Sequence, residues 1–425
     1  MTCKVGVIGA GTVGGGVIET LLANGGVISD KSGAEVLLTH VADLNLALYN
    51  DYDLSGVTVS NDARALIADP NVDVVCELIG GYEPARTFIL EALGNGKHVV
   101  TANKMLLAKA GAELNDAAIK NGVELRYEAA VAGTIPIIKA IRESLVANNV
   151  SAVYGILNGT CNYILTCMAT DGLQFDDALQ QAIAMGFAET PPDLDIEGHD
   201  TAHKCQILAS ICYNTPVDLE KIYVEGVTKV THLDVAYAAE MGYQIKLLAV
   251  VRQIDGEIEA RVHPMLVADS HLLAAVRYEF NAIYIESDIA DATLYYGRGA
   301  GKLPTASSVI ADVVDIACRG DAPVPPPFRY SHDFPLRDHG LSQGRYYLRL
   351  TTENHSGVLG GICSILGNHG VSIASLFQNE EQSGVPAHVV LMTHETRESN
   401  VAAAIAEIDA KDYIDETTQM IRVLA

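Results

Sequence analysis

Short β-branched runs alternate with helix-period stretches through the first third of the chain. Strands are predicted at 4–8, 35–42, 72–78, 97–101 and 123–128, with helices at 13–24, 62–68, 83–95 and 108–121. Gly or Asn closes several of these helices, as left-handed C-terminal caps prefer. Strand–helix alternation of this kind builds a parallel sheet covered by helices on both faces. From Gly133 to about Gly301 the pattern changes. A helix at 175–185, capped by Asp176 and stopped by Gly186, precedes a polar loop and a second helix ending near Ile211, then alternating runs at 246–253, 257–262 and 280–287. This reads as an α+β domain inserted into the first, because 307–318 has the pattern of a helix that returns to the parallel sheet. Pro323, Pro325, Pro326 and Pro327 mark a stiff linker. Beyond it, 345–424 reads strand, helix, strand, strand, helix, strand, a ferredoxin-like module. The predicted division is therefore 1–132 with 303–320, an insertion at 133–302, a linker at 321–344 and a last domain at 345–425.

Composition narrows the function without touching the fold. The 425 residues are 49% hydrophobic and 19% charged, ordinary for a globular chain and against disorder. With 28 Lys+Arg against 53 Asp+Glu, the net charge is −25. That balance disfavours nucleic acid and anionic membrane surfaces, which both need clustered cations. The eight cysteines, Cys3, Cys76, Cys161, Cys167, Cys205, Cys212, Cys318 and Cys363, form no C-x-x-C pair. A zinc ribbon and a disulfide framework are both disfavoured, and buried thiols in a reducing, cytoplasmic setting are expected. No signal peptide is visible, since a strand pattern starts by Lys4. The uncharged stretch 144–170 is long enough to span a bilayer. Asn148, Asn149, Asn158 and Asn162 would leave amides without partners in lipid, so it is assigned to a core or the wall of a site.

The segment Gly9-Ala-Gly11-Thr12-Val13-Gly14 is a G-x-G-x-x-G between a predicted strand and helix. Gly9 permits the tight turn, Gly11 admits a pyrophosphate, and Gly14 allows close helix–strand packing, with the pyrophosphate on the first helical N–H groups. Strand, turn and helix all fit the dinucleotide fingerprint of a Rossmann domain. Asp43, at the end of the second strand, is placed to accept from adenosine ribose hydroxyls. No Arg or Lys lies between Asp43 and Arg64. A 2′-phosphate wants a cation nearby, so NAD is favoured over NADP.

Two lysines carry the candidate chemistry. Lys104 follows the strand at 97–101, at the sheet edge where doubly wound folds bind ligands. Lys204 lies four residues after Asp200 on one helix face, an arrangement also common in solvated surface pairs. The acids ahead of it, Glu189, Asp193, Asp195, Glu197 and Asp200, favour chemistry. A cationic amine substrate needs carboxylates, and a reactive carbonyl needs a proton donor. His199 and His203 are spaced for zinc, but H-E-x-x-H is absent and no third ligand is evident. Cys161 could be a nucleophile of the aldehyde-dehydrogenating kind, yet no histidine is adjacent in sequence to activate it.

Taken together, these motifs resemble homoserine dehydrogenase of the long microbial form with a C-terminal ACT domain. The resemblance is carried by 9–16, 77–81, 101–104, 128–136, 157–165, 186–204 and the turn 297–301 leading to Pro304-Thr-Ala306. It implies an α/β chain: a Rossmann-type doubly wound sheet, an inserted α+β catalytic and dimerisation domain, and a ferredoxin-like ACT domain. The implied reaction interconverts L-aspartate 4-semialdehyde and L-homoserine with NAD or NADP, on the route to threonine, methionine and isoleucine. The implied assembly is a homodimer or homotetramer. Lys204 is the implied proton donor, with Lys104 a second amine beside the reacting group. Glu189 and Asp200 would hold the substrate ammonium, with Asp195 in the same acidic wall. Gly301 resembles a position that approaches the cofactor. The stretch from Glu128 to Ile135 resembles the family's sodium loop, with Glu128, Val131, Gly133 and Ile135 at the ion, the last three through backbone carbonyls.

The chain departs from the family pattern at three places. Pro191 and Pro192 follow Glu189-Thr190 where relatives carry Asp-Pro, which leaves Asp193 as the substitute acid. Phe187 stands where a Tyr is common, and Ala42 stands where many relatives are basic. At the C-terminal end, Asn354-His-Ser-Gly357-Val358 resembles the ligand turn of ACT domains. Gly357 would allow close backbone approach, and Asn354 or Ser356 could cap the helix opening at Val358. Threonine is the implied effector. Two other readings compete: an acyl-enzyme oxidoreductase working through Cys161, and a non-catalytic amino-acid sensor with NAD as a structural ligand.

Overall fold

Six parallel strands in the order β3-β2-β1-β4-β5-β6 form the first sheet. In chain order its elements are β1 (Thr2–Ile8), α1 (Thr12–Ser32), β2 (Glu35–Ala42), β3 (Thr58–Ser60), α2 (Ala63–Ala68), β4 (Val74–Glu77), α3 (Ala85–Gly94), β5 (His98–Thr101), α4 (Lys104–Asn121) and β6 (Leu125–Arg126). That order is the Rossmann one, with its ligand crevice outside the carboxyl ends of the strands. The computed structural model describes all residues except Met1, Glu189, Asp321, 323–327, Arg329, 379–385 and Ala425. The expected prolines of the linker, and Glu189, lie outside the described residues.

The chain continues through α5 (Ile137–Lys139), β7 (Val150–Ile156), α6 (Gly159–Thr170), α7 (Phe175–Ala184), α8 (Asp193–Ile196) and α9 (His199–Tyr213). Next come β8 (Tyr223–Val224), α10 (His232–Glu240), β9 (Tyr243–Ile254), β10 (Glu257–Ala268), β11 (Phe280–Ser287), β12 (Asp291–Arg298) and α11 (Lys302–Arg319). The last elements are β13 (Gln343–Thr352), α12 (Val358–Asn368), β14 (Ile373–Gln378), β15 (Ala387–Thr393), β16 (Thr396–Arg397), α13 (Glu398–Asp409) and β17 (Ile414–Val423). The chain divides into two units: Met1–Leu157 with Asp200–Ile222 and Phe280–Phe334, and Asn158–His199 with Tyr223–Glu279 and Pro335–Ala425.

In the first unit, α11 returns to the parallel sheet. Ala306, Val309, Val313 and Ile316 share one core with Val5, Val7, Val17 and Ile18. The fit is close: a Cβ at Gly16 would lie 2.5 Å from the Lys302 carbonyl oxygen. Strands β7, β11 and β12 form a separate antiparallel ladder in this unit. Helix α1 extends beyond its expected end at residue 24, running through Gly25 and Gly26 to Ser32, where Gly33 at φ 73° terminates it. Two glycines cost about 1 kcal/mol each in a helix interior. Ile28 beyond them packs against the core and holds the helix together.

In the second unit, the β9–β10 hairpin and the C-terminal strands share one sheet, β9-β10-β17-β13-β15-β14, with β8 on β10 and β16 on β13. The join is parallel, Met265 opposite Arg422 and Leu266 opposite Val423. Strands β13, β14, β15 and β17 with helices α12 and α13 form the expected ferredoxin-like module around Tyr346, Leu348, Ile362 and Leu391. A buried ion pair pins this module to α10, with Arg349 Nε 2.7 Å from Asp234 Oδ1. Local expectations fail at caps. Gln174, not Asp176, is the N-cap of α7 and makes no side-chain bond, while Asp176 sits in the first turn, where the helix dipole still favours it. Among the described residues no helix is long and apolar enough to cross a membrane. The uncharged stretch 144–170 instead supplies β7 and α6.

Candidate active site

The fingerprint folds as its spacing requires. Gly9 adopts φ 95°, and a Cβ at Gly14 would sit 1.8 Å from the Gly9 carbonyl oxygen. Nothing lies within 4 Å of a Cβ built on Gly11, so this point is open to an incoming group. Gly11 is the N-cap of α1 and offers no side chain, leaving the first N–H groups of the helix, from Thr12 and Val13 onward, for a phosphate. Beside it lies a cavity of about 570 Å³ lined by Gly9, Gly11, Asp43, Arg64, Ile79 and Gly80. These residues fit a dinucleotide: a bare helix N-terminus, a cradle that side chains would fill, and an acid at the end of β2.

Asp43 is held in that cavity by backbone donors, Ala10 N–H at 2.7 Å and Asn45 N–H at 2.8 Å. A carboxylate has lone pairs left for a ribose. Arg64 bears on the 2′ position. The sequence gap between Asp43 and Arg64 predicts a site without cations, yet α2 brings Arg64 to the wall of the same cavity. There its Nε is 3.0 Å from Glu91 Oε2 and its guanidinium lies over the Phe88 ring. Gly301, at φ 123°, is the N-cap of α11, next to the Lys302 carbonyl that packs on Gly16 of the fingerprint helix.

The two lysines meet at Asp200. Helix α4 starts at Lys104, four residues before its expected start, because Asn103 caps it by accepting from Leu106 N–H at 3.1 Å. Lys104 Nζ is 2.9 Å from Asp200 Oδ1, and Lys204 Nζ is 2.7 Å from Asp200 Oδ2. Lys204 also donates to the Leu157 carbonyl at 2.6 Å. The Lys204 and Asp200 side chains are 9% and 8% exposed, so this is no solvated surface pair. Burial pushes the Asp200 carboxyl up, but the ammoniums of Lys204 and Lys104 and their hydrogen bonds outweigh it and hold it far below the usual carboxylate range. Both Asp200 oxygens are engaged by lysines, which makes it an organiser of the two ammoniums more than a partner for a substrate amine.

The other acids of the segment belong to the second unit. Asp195 on α8 accepts from Asn158 Nδ2 at 2.7 Å and from Thr160 Oγ1 at 3.3 Å, while Thr160 donates to the Phe187 carbonyl at 2.6 Å. Asn158 is also the N-cap of α6, accepting from Cys161 N–H. Cys161 is fully buried in the first turn of α6, its thiol directed at the Asp195 carbonyl. A packed thiol explains it better than a nucleophile.

The loop from Glu128 to Ile135 is a hydrogen-bonded crossing. Glu128, 2% exposed, accepts from Ile138 N–H and Lys139 N–H. The Gly133 carbonyl accepts from Ser308, the Ile135 carbonyl from Ile137 N–H, and a Cβ at Gly133 would lie 2.6 Å from Gly299. Every donor atom is oxygen, and each carbonyl keeps a second lone pair, so the set fits a hard cation. In the C-terminal module, Gly357 at φ 100° is itself the N-cap of α12 and no side chain caps the helix. The expected capping of Val358 by Asn354 or Ser356 is therefore corrected: the left-handed turn at Gly357 turns the chain before either side chain can serve.

Glu77, a buried acid at the end of β4, and the Leu157 carbonyl that receives Lys204 lie in the motifs 77–81 and 157–165, but the sequence assigns neither a role. A lone Glu ending an apolar run was the available signal for Glu77. A backbone carbonyl leaves none.

Comparison with known proteins places these features in a family. Residues 9–128 match the family described as homoserine dehydrogenase, NAD binding domain, residues 136–314 match homoserine dehydrogenase, and residues 346–412 match the ACT domain. The homoserine dehydrogenase of Neisseria gonorrhoeae is 42% identical over 99% of this chain and 98% of its own length. That of Synechocystis is 38% identical over the full length of both. The crystal structure of a homoserine dehydrogenase from Thiobacillus denitrificans superposes with a TM-score of 0.94 at 42% identity, covering 100% of this chain and 98% of that one. A hyperthermophilic archaeal homoserine dehydrogenase in complex with NADPH covers 77% of this chain and 100% of its own, at 25% identity and a TM-score of 0.63. With three matches in order along it and relatives aligned from end to end, this chain belongs to the homoserine dehydrogenase family of oxidoreductases.

Proposed function

We propose that the chain interconverts L-aspartate 4-semialdehyde and L-homoserine by hydride transfer, with Lys204 as the proton donor to the carbonyl oxygen. The observation that carries this reading is the Lys104–Asp200–Lys204 bridge, in which Asp200 and Lys204 are buried. A bound nicotinamide dinucleotide would supply the hydride for the new C–H bond. Lys204 gives its proton to the oxygen as negative charge grows there, and in the oxidative direction takes it back. One carboxylate against two ammoniums leaves a net positive charge, which stabilises an alkoxide. Lys104, more exposed than Lys204, sits beside the reacting group and the cofactor, and Asp200 orients both amines. Glu189 and Asp195 hold the substrate ammonium, with Asp193 in place of the family's missing acid.

Gly9, Gly11, Thr12, Val13, Gly14, Asp43, Lys104 and Gly301 would hold the nucleotide. Ala42 favours NAD and Arg64 offers a 2′-phosphate a partner, so both nucleotides are used, with NAD preferred. Sodium at Glu128, Val131, Gly133 and Ile135 fits the oxygen donors and takes no part in the proton transfer described. Asn354, Gly357 and Val358 form the turn through which threonine inhibits. The reading includes division at 1–132 with 303–320, 133–302 and 345–425, a homodimer or homotetramer, and a cytoplasmic enzyme.

The test is oxidation of L-homoserine with NAD and NADP side by side, with and without threonine. Reduction of nucleotide dependent on homoserine and abolished in Lys204→Ala supports the mechanism. Full activity of Lys204→Ala would overturn it, and activity indifferent to threonine would remove the effector.

A further inference from the structure

Among the described residues of the first unit, the acid with least exposure is outside the mechanism so far. Glu77 is the last residue of β4 and fully buried. Its Oε1 accepts from Ile79 N–H at 2.9 Å, and its Oε2 from Thr101 Oγ1 at 2.8 Å on the neighbouring strand. Glu77 and Thr101 are register partners at the carboxyl ends of β4 and β5. The groups around the carboxylate are donors, Gly80 N–H and the Asn103 amide among them. Burial raises the carboxyl pKa above its ordinary value, and the hydrogen bonds offset that rise only in part. A site made of donors has use only for an acceptor.

Two paths lead away from this acid. One runs along the chain: Ile79 and Gly80 line the cofactor cavity, and a Cβ at Gly9 would lie 2.9 Å from Ile79 N, so the turn after β4 touches the fingerprint. Gly80 and Gly81 both adopt φ 74°, a left-handed turn with no stiffness of its own. The other runs through Thr101, whose Oγ1 accepts from Asn103 N–H at 3.1 Å. Asn103 then donates from Nδ2 to the Gly81 carbonyl at 2.7 Å and caps the helix that begins with Lys104. The two paths close into a ring.

We propose that Glu77 is a positioning residue: its carboxylate locks the Gly80–Gly81 turn to Thr101 and Asn103, and so sets the cofactor cavity in register with the start of α4 and Lys104. The inference rests on the reading that this cavity holds the nucleotide and that Lys104 serves the reaction. A side-chain amide in the same place turns an NH2 group toward N–H or O–H donors and loses at least one bond.

The experiment is Glu77→Gln in the full-length enzyme, read by kcat for homoserine oxidation and by nucleotide Kd from fluorescence, with circular dichroism and Tm alongside. The expected result is a kcat at least tenfold lower and a Kd several-fold higher in a protein with unchanged secondary structure. Values within twofold of the parent for both would overturn the proposal. Should Glu77→Gln fail to fold, Thr101→Val and Thr101→Ser carry the same test. The valine loses turnover and the serine, which keeps the hydroxyl, restores most of it; equal turnover in the two would overturn the proposal. Lys104→Ala separates this idea from the site reading. Full turnover there sinks both, while an impaired Lys104→Ala beside an unaffected Glu77→Gln sinks the positioning role alone.

Discussion

The ammonium of Lys104 lies 2.9 Å from Asp200 Oδ1, although one residue opens a helix of the parallel sheet and the other belongs to a helix far along the chain. Their environments differ: the Lys104 side chain is 44% exposed and that of Asp200 only 8%. Asp200 thus draws a half-exposed amine to the same carboxylate that holds the buried amine of Lys204. The arrangement concentrates positive charge at one point, which is what the proposed stabilisation of an alkoxide requires.

Removing Lys204 tests the proton transfer. Lys204→Ala is expected to lower kcat by about 10³-fold, within the range for loss of a general acid, while NAD(P)H binding measured by fluorescence stays within twofold. An equal loss of nucleotide affinity would assign the lysine to the cofactor instead.

Asp200→Asn leaves two ammoniums without their shared counter-charge. Like-charge repulsion disfavours both charged forms, so in semialdehyde reduction, where Lys204 gives its proton, the alkaline fall of kcat moves to lower pH, and kcat itself drops by about 10²-fold. The folded carboxyl is held well below its ordinary 3.8. Its stabilisation is therefore complete above that pH and is lost as the pH falls through the lower folded value. Acid titration of Tm should show this loss in the parent and not in Asp200→Asn. An unshifted kcat profile in the variant would mean the lysines do not depend on it.

Arg64 gives the cofactor prediction. Arg64→Ala is expected to weaken NADPH binding about tenfold, as loss of a charge-assisted contact does, with NADH unchanged. Ala42→Arg should move the kcat/KM ratio toward NADP. Parallel changes for both nucleotides in Arg64→Ala would place the guanidinium away from the 2′ position.

Lys246 predicts a pH-dependent stability unrelated to turnover. It is buried on β9, donating to Asn162 Oδ1 at 3.1 Å and to the Val276 carbonyl, and burial, then Arg277, lowers its pKa from 10.5 to about 8. Between these values the unfolded chain holds a proton that the folded one has released, so this lysine makes stability rise with pH there. The rise is at most about 3 kcal/mol. Comparing Tm of the parent and Lys246→Met from pH 8 to 10.5 checks it; parallel curves would refute it.

Much of this was legible in the chain. The fingerprint, the β13–β17 module and the strands at Glu35–Ala42 and Phe280–Ser287 follow from periodicity and glycine placement, which act over a few residues. Helix starts were less legible. Asn103 and Gln174 move or remake caps expected elsewhere, since capping depends on which donors the tertiary fold leaves over. Glu77 was invisible as a functional residue because its meaning lies in Thr101, a neighbour across the sheet.

The amino-acid order alone determined the classes of element, the nucleotide turn, the candidate lysines and acids, and the family that these motifs resemble. Only the tertiary structure decided that Lys104 and Lys204 share one carboxylate, that Arg64 enters the wall of the cavity beside the glycine turn, and that Asp200 is buried. The physical reason is range. Periodicity and turn chemistry are written in neighbouring residues. Burial and charge pairing depend on which distant segments the hydrophobic core brings together, and no local pattern records that choice.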